Sequence, residues 1–132
     1  MKYLGLDYGK ARVGMAIGTD ETKVAVGKGI LEGLTQNKLI TKIKAIVNIE
    51  GMDRIIVGLP LSMDGQENDM SKEVKLFVEK LRGHLEIPVQ TFDERLTSQM
   101  ADNLLREVKG VKKQDQVAAQ IILQNYLDQQ AK

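Results

Sequence analysis

The sequence predicts an α/β protein in which helices flank a mixed sheet of five strands. Two observations lead to this prediction. Residues 1–31 contain three short segments in which apolar residues recur at every second position, as they do in an antiparallel meander. Beyond them, segments with helical spacing alternate with two short apolar runs. This alternation is typical of strands that lie parallel to the first strand and are joined by right-handed crossovers.

The chain begins with a predicted hairpin that carries an acid near its tip. Residues 2–7 form an apolar strand that ends at Asp7, and Gly9 then allows the backbone to turn tightly. The second strand resumes the alternation with Val13, Met15 and Ile17. A third strand is expected from Val24 to Leu31, where two glycines indicate bulges (Gly27 and Gly29).

The later elements follow from periodicity and from residues that begin or end helices. A helix is predicted from about Gln36 to Glu50, and a buried strand from Arg54 to Pro60. A polar loop over 62–69 leads into a second helix, and a short strand covers Ile87–Phe92. Two further helices complete the prediction, one capped by Thr97 or Ser98 and extending to about Val108, and one from about Gln114 to Gln129.

Composition excludes several classes of protein. The 132 residues predict a single domain, 1–132, and the absence of cysteine excludes disulfides, thiolate zinc sites and a cysteine nucleophile. A single histidine, His84, excludes multi-histidine metal sites. No apolar run approaches a membrane span and no signal peptide is visible, so we expect a cytoplasmic protein with no membrane partner. The net charge of +1 means that nucleic-acid binding would depend on local clusters of basic residues.

Three acidic positions are predicted to converge at one edge of the sheet. Asp93 and Glu94 follow a strand expected to be parallel to the one that ends at Asp7, so both strand ends meet at the same edge. Asp115 shares a face of the last helix with the apolar stripe that must pack on the sheet (Ala118, Ala119, Ile122 and Tyr126). Spacing alone does not separate Asp93 from Glu94. Converging carboxylates favour Mg²⁺ or Mn²⁺, and two such ions support phosphodiester cleavage.

Each acid also has a simpler interpretation. Asp7 is compatible with a turn, Asp115 with a favourable interaction with the dipole of its helix, and Asp93 and Glu94 with loop acids paired with Arg95. The residues alone leave these alternatives open.

Four segments, in order and spanning essentially the whole chain, resemble the signatures of one family. They are Gly5-Leu6-Asp7-Tyr8-Gly9 with Arg12-Val13-Gly14-Met15-Ala16, Val57-Gly58-Leu59-Pro60-Leu61-Ser62-Met63-Asp64-Gly65, Phe92-Asp93-Glu94-Arg95-Leu96-Thr97-Ser98, and Asp115-Gln116-Val117-Ala118-Ala119-Gln120-Ile121-Ile122-Leu123-Gln124. The family is YqgF, whose members are described as Holliday-junction resolvases or as pre-16S ribosomal RNA nucleases. Any one of these motifs is weak, but four in register are specific.

The resemblance implies an RNase H-like fold and a metal-dependent endonuclease that acts on structured RNA, in the cytoplasmic maturation of the 5′ end of pre-16S rRNA. It implies Asp7, Glu94 and Asp115 as the catalytic and metal-binding acids, with Mg²⁺ or Mn²⁺ as cofactor. It therefore favours Glu94 over Asp93.

Four basic residues near these acids are expected to contact the nucleic-acid backbone: Arg12, Arg95, Lys112 and Lys113. Other functions remain open at this point. A four-way DNA junction is an alternative substrate, although symmetric resolution needs a two-fold dimer and the sequence suggests a monomer or weak homodimer. A non-catalytic RNA-binding module is a second alternative. An actin-like ATPase is a third and is disfavoured, because such proteins need two of these domains.

Overall fold

The computed structural model describes residues 1–96, 107 and 110–130. Its five strands are β1 (Lys2–Tyr8), β2 (Arg12–Thr19), β3 (Val26–Glu32), β4 (Arg54–Leu59) and β5 (Val89–Asp93), in the spatial order β3-β2-β1-β4-β5. Strands β1, β2 and β3 pair antiparallel, whereas β4 is parallel to β1 and β5 is parallel to β4. The predicted mixed sheet, with a three-strand meander and two parallel strands, is confirmed.

Three α-helices lie in the described ranges: α1 (Gln36–Glu50), α2 (Asp69–His84) and α3 (Val111–Gln130). A single 3₁₀ turn, Glu94–Leu96, follows β5. Of the helix predicted over 97–108, with its cap at Thr97 or Ser98, the structure describes only residue 107, which is helical and exposed; the rest falls outside the described residues. Across the described ranges, none of the helices combines the length and apolarity needed to cross a membrane.

Local chemistry explains where α1 and α2 begin and end. The side chain of Thr35 accepts a hydrogen bond from the amide of Lys38 at the start of α1, and Gly51 ends that helix with a φ of 66°. Asn68 and Ser71 form a reciprocal capping box at the start of α2. These signals place the helix ends close to the predicted positions.

Three elements start two or three residues away from the predicted position, among them β5, which begins at Val89 rather than Ile87. β3 starts at Val26 rather than Val24, and the residue between Gly27 and Gly29 is the extra one where the β2–β3 register shifts, so the predicted bulge is present. Helix α3 starts at Val111 rather than at Gln114, because the amide of Gln114 already donates to the carbonyl of Gly110.

The two faces of the sheet pack against different helices. Leu4 and Leu6 of β1 belong to the larger core, together with the buried residues of α1 and α2. Tyr3, on the alternate face, belongs to a second core with Ile56, Phe92 and the buried face of α3. That face consists chiefly of Ala119, Ile122, Leu123 and Tyr126. The predicted stripe is therefore largely confirmed, although Ala118 is only half-buried.

Helix α3 approaches the sheet closely because the strands beneath it present glycines. A Cβ atom on Gly14 of β2 would lie 2.0 Å from the carbonyl oxygen of Asp115, and one on Gly5 of β1 would lie 2.9 Å from the Cβ of Leu123. Gly18, Gly27 and Gly58 would meet α3 side chains in the same way. Helix α3 can therefore pack this closely only because these positions of the sheet are glycines, which have no side chain.

We expect Gly14→Ala to destabilise the protein by about 1–3 kcal/mol, because the added methyl group forces α3 away from β2. Urea unfolding followed by circular dichroism measures the change. Gly83→Ala is the matched control, since a Cβ at this position in α2 meets no atom within 4 Å. The control should leave stability unchanged or raise it by up to about 1 kcal/mol. Equal stability of the two variants would contradict the packing argument.

Candidate active site at one edge of the sheet

Asp7 lies near the carboxyl end of the central strand β1, on the face covered by α3. Its register partner in β2 is Gly14, the residue against which the backbone of Asp115 packs. The side chain of Asp7 is mostly buried, and this burial, followed by repulsion from Asp115, raises its pKa to about 6. Asp7 lies within β1 rather than in the turn that follows it, and its side chain is shielded from water, so it is not a solvated turn residue.

Glu94 occupies the neighbouring part of the same edge. Strand β5 ends at Asp93, and the 3₁₀ turn then carries the Glu94 side chain towards β4, where a Cβ on Gly58 would lie 2.9 Å from its Oε1. Burial is the main cause that raises the pKa of Glu94 to about 7, with further contributions from Asp7 and Asp93. Gly58 thus provides the space in which this carboxyl group lies.

Asp93 and Glu94 have different environments. Both carboxylate oxygens of Asp93 accept hydrogen bonds from Arg95, at 2.6 Å from Nη2 and 3.1 Å from Nε. This pairing lowers the pKa of Asp93, whereas Glu94 is influenced by Asp7. The alternative that Arg95 pairs with these acids therefore holds for Asp93, and the structure separates two positions that spacing could not.

Asp115 reaches the edge from α3. Because α3 starts at Val111, Asp115 lies beyond its first turn, where the helix dipole has little effect. Its Oδ2 instead accepts a hydrogen bond from Nε of Arg12 at 2.6 Å. The side chains of Arg12 and Asp115 are only 33% and 26% exposed, so this ion pair is partly shielded from water.

The four expected backbone contacts fall into two groups. Arg12 and Arg95 are each bonded to an acid at this edge, and Arg95 Nη1 also donates to the carbonyl oxygen of Met63 at 3.3 Å. The polar loop over 62–69 is therefore tied to Arg95, one residue from Glu94. Lys113 is exposed near the start of α3, and the side chain of Lys112 falls outside the described residues.

Two features of the site were not predicted from the sequence. Arg12 and Asp115 are 103 positions apart in the sequence, and no local sequence pattern predicts a contact between them. The glycines that make room for Glu94 and Asp115 were quoted only as parts of motifs. A usable signal was present, because Gly14 and Gly58 occupy positions in apolar strands where a side chain would otherwise pack.

The donor set of this edge suits a hard divalent cation. Asp7, Glu94 and Asp115 offer only carboxylate oxygens, and burial followed by repulsion from neighbouring acids raises the pKa values of the first two. As the side chains stand, however, no three histidine, aspartate or glutamate residues in the described ranges are grouped closely enough to hold a metal ion. The hydrogen bond from Arg12 occupies the carboxylate of Asp115, which a cation at this edge would need as a ligand.

The order and direction of the strands define a structural class, that of proteins with an RNase H-like fold. The chain superposes on RuvC of Thermus thermophilus in complex with a Holliday junction substrate with a TM-score of 0.65, at 12% identity over 99% of this chain and 96% of that chain. The fowlpox virus resolvase in complex with Holliday junction DNA gives a TM-score of 0.63, at 11% identity over the whole of both chains. At such identities the likeness concerns the fold, and it confirms the RNase H-like prediction.

The chain belongs to the RuvX family, described as Holliday junction resolvase, whose model matches residues 1–129. This is the YqgF family of the sequence resemblance. A protein from Chloroflexus aggregans named "Putative pre-16S rRNA nuclease" is 41% identical over 130 residues, which cover 95% of this chain and 92% of that protein. A protein of the same name from Natranaerobius thermophilus is 34% identical over 135 residues, covering 98% and 96%. The prediction of a nuclease is thereby confirmed at the level of the family.

The raised pKa values predict that the metal-free protein loses stability as the pH rises from about 4 to about 7. Asp7 and Glu94 bind protons more tightly in the folded chain than in the unfolded chain, so their contribution is favourable at low pH and is lost as they ionise. At pH 8, in the presence of a chelator, Asp7→Asn should raise the free energy of unfolding by about 1–3 kcal/mol. Urea unfolding across this pH range measures the effect.

Asp93→Asn is the control, and its expected change in stability has the opposite sign to that of Asp7→Asn. Its pairing with Arg95 lowers the pKa of Asp93, so this acid stabilises the fold above its unfolded pKa and the contribution is lost as the pH falls. The Asp93 variant should therefore be less stable than the wild type at pH 8. If Asp7→Asn has the same free energy of unfolding as the wild type at every pH, then ionisation of Asp7 does not destabilise the fold.

Proposed function

We propose that the chain is a metal-dependent endonuclease that cleaves phosphodiester bonds of structured RNA. One observation carries the proposal: Asp7, Glu94 and Asp115, from β1, the turn after β5 and α3, lie near enough at one sheet edge for Asp115 to raise the pKa of Asp7 and for Asp7 to raise that of Glu94. Clustered acids that destabilise a fold are typical of functional sites. The names of the relatives support pre-16S rRNA as the substrate. The role proposed here is maturation of its 5′ end, in the cytoplasm.

In this proposal residues 1–132 act as one nuclease domain, and the three acids hold Mg²⁺ or Mn²⁺. Bound in a pair, these ions supply the Lewis acidity that activates a water and stabilises the leaving oxygen. Asp7 is the central ligand, because it lies on the middle strand between the other two acids. Glu94 is assigned rather than Asp93, since Asp93 is engaged by Arg95.

The basic residues of the edge position the nucleic-acid backbone. Arg95 is held by Asp93 and by the carbonyl of Met63, and this arrangement orients its guanidinium beside Glu94. Lys112 and Lys113 lie in the first turn of α3, where free amide groups of a helix favour phosphate. Arg12, at the start of β2, is the fourth basic residue, and we expect these residues to contact the backbone of the nucleic acid rather than its bases.

The proposal is tested with a hairpin RNA that carries the 5′ boundary of 16S rRNA and with Mg²⁺ or Mn²⁺. Asp7→Asn, Glu94→Gln and Asp115→Asn should each lower the rate of cleavage at least about 100-fold while the circular dichroism spectrum is kept, because each removes a metal ligand. Asp93→Asn is the matched control and should retain most of the activity. Full activity of Asp7→Asn, or equal losses in the Glu94 and Asp93 variants, would refute this assignment.

A four-way DNA junction is the second candidate substrate. It is favoured by the description of the family and by the junction complexes of the structural neighbours. Symmetric cleavage of a junction needs two active sites related by a two-fold axis. Sedimentation with and without a synthetic junction separates the two substrates: a monomer that cleaves RNA alone supports the ribosomal role, whereas a dimer that cleaves the junction supports the second candidate. Binding of RNA without any cleavage would support the non-catalytic module.

A further inference from the structure

The ion pair between Arg12 and Asp115 joins two residues that the proposed function uses in different ways. Arg12 begins β2 at the tip of the hairpin, and Asp115 is held over Gly14 by the close packing of α3. The distance of 2.6 Å between Nε and Oδ2 is that of a strong charge-assisted hydrogen bond. In this arrangement Arg12 neutralises the acid that lies nearest to the start of the last helix.

A divalent cation at this edge would compete with Arg12 for the same carboxylate. The Oδ2 atom of Asp115 is engaged by the guanidinium, and no group of three acids in the described part of the chain is assembled to hold a metal. A cation that binds Asp7 and Asp115 adds two positive charges beside Arg12, so guanidinium and cation repel each other. Occupation of the site by a cation therefore favours release of Arg12.

Space for a released side chain exists beside the hairpin. A cavity of about 280 Å³ opens next to Arg12 and is lined by Lys10, Tyr8 and Gln36 among others. Lys10 is 78% exposed and pairs with Glu73, and Glu32 also lines the cavity, so basic and acidic residues share its border. A phosphate group at this point of the edge would meet Arg12 within reach of the acids.

We infer that Arg12 exchanges Asp115 for a backbone phosphate of the nucleic acid when a divalent cation binds. Arg12 is then a positioning residue: it occupies Asp115 while the site lacks a cation and contacts the substrate once the cation has taken its place. This inference rests on the proposed function, since it assumes that the acidic edge binds a cation and that the partner is a nucleic acid.

The exchange couples the two ligands. A cation that frees Arg12 strengthens the binding of nucleic acid, and by linkage the nucleic acid strengthens the binding of the cation by the same factor. Repulsion by Arg12 also lowers the affinity of the isolated protein for the cation. The two ligands would therefore bind tightly only together.

The first experiment titrates the full chain with Mn²⁺ alone in a calorimeter. Arg12→Gln should bind Mn²⁺ at least about fivefold more tightly than the wild type, since it removes the competing charge. Arg12→Lys keeps the charge and should stay closer to the wild type. Lys10→Gln is the matched control, because it removes one positive charge from the same hairpin without touching an acid of the site. Its affinity should change less than twofold.

The second experiment measures the affinity for a hairpin RNA at several salt concentrations, with Ca²⁺ or with a chelator, and confirms by gel that the RNA stays intact. With Ca²⁺, the slope of log affinity against log salt should be smaller for Arg12→Gln than for the wild type by about one, since one phosphate contact is lost. With the chelator the two proteins should have equal slopes, because Arg12 is then bound to Asp115.

The outcomes separate this inference from the nuclease proposal. Equal or weaker Mn²⁺ binding by Arg12→Gln would overturn the exchange even if the wild type cleaves RNA. Tighter Mn²⁺ binding without any cleavage by the wild type would support the exchange and refute the nuclease. If Arg12→Gln is less stable than the wild type, the rise in melting temperature on adding Mn²⁺ still reports the affinity and should be larger for the variant. Absence of Mn²⁺ binding in both proteins would refute both proposals.

Discussion

The close approach of the last helix to a glycine-bearing sheet is the constraint on which the acidic edge depends. A Cβ on Gly14 would lie 2.0 Å from the backbone of Asp115, and Gly14 is the register partner of Asp7. One contact therefore sets both how deeply α3 packs and how near the two carboxylates come. On the other side, Gly58 leaves the space beside β4 in which Glu94 lies. Because glycines have no side chain, Gly14 and Gly58 determine where the carboxylates at this edge lie.

This arrangement buries carboxyl groups at positions where the stability of the fold alone would favour uncharged side chains. Burial and repulsion from neighbouring acids raise the pKa values of Asp7 and Glu94, so both carboxyl groups ionise at a higher pH than they would in water. The surrounding apolar core, with Tyr3, Ile56 and Phe92 beneath α3, supplies the stability that offsets this repulsion. Arg12 relieves part of it at Asp115, whereas Arg95 is paired with Asp93.

Much of this architecture could be predicted from the sequence, because it depends on local periodicity. The alternation in the hairpin, the β-branched run of β4 and the helical phase of Asp115 predicted the sheet and the face of α3 that packs on it. What could not be predicted depends on contacts between distant residues. Asp93 and Glu94 are adjacent, and only the 3₁₀ turn and the bond to Arg95 separate their environments. The partner of Arg12 lies on the last helix, so no spacing rule leads to it.

The order of the acids along the chain has a consequence for synthesis. Asp7 lies on β1 and Asp115 on α3, so the ribosome makes Asp7 well before Asp115, and the three acids are all present only once α3 has been translated. A chain interrupted before Val111 lacks one of the three acids and leaves the α3 face of the sheet, including Tyr3 and Phe92, uncovered. Such a fragment lacks the full acid set and exposes an apolar surface that is prone to aggregation. The helix that covers the sheet is therefore also the element that brings the third acid to the edge.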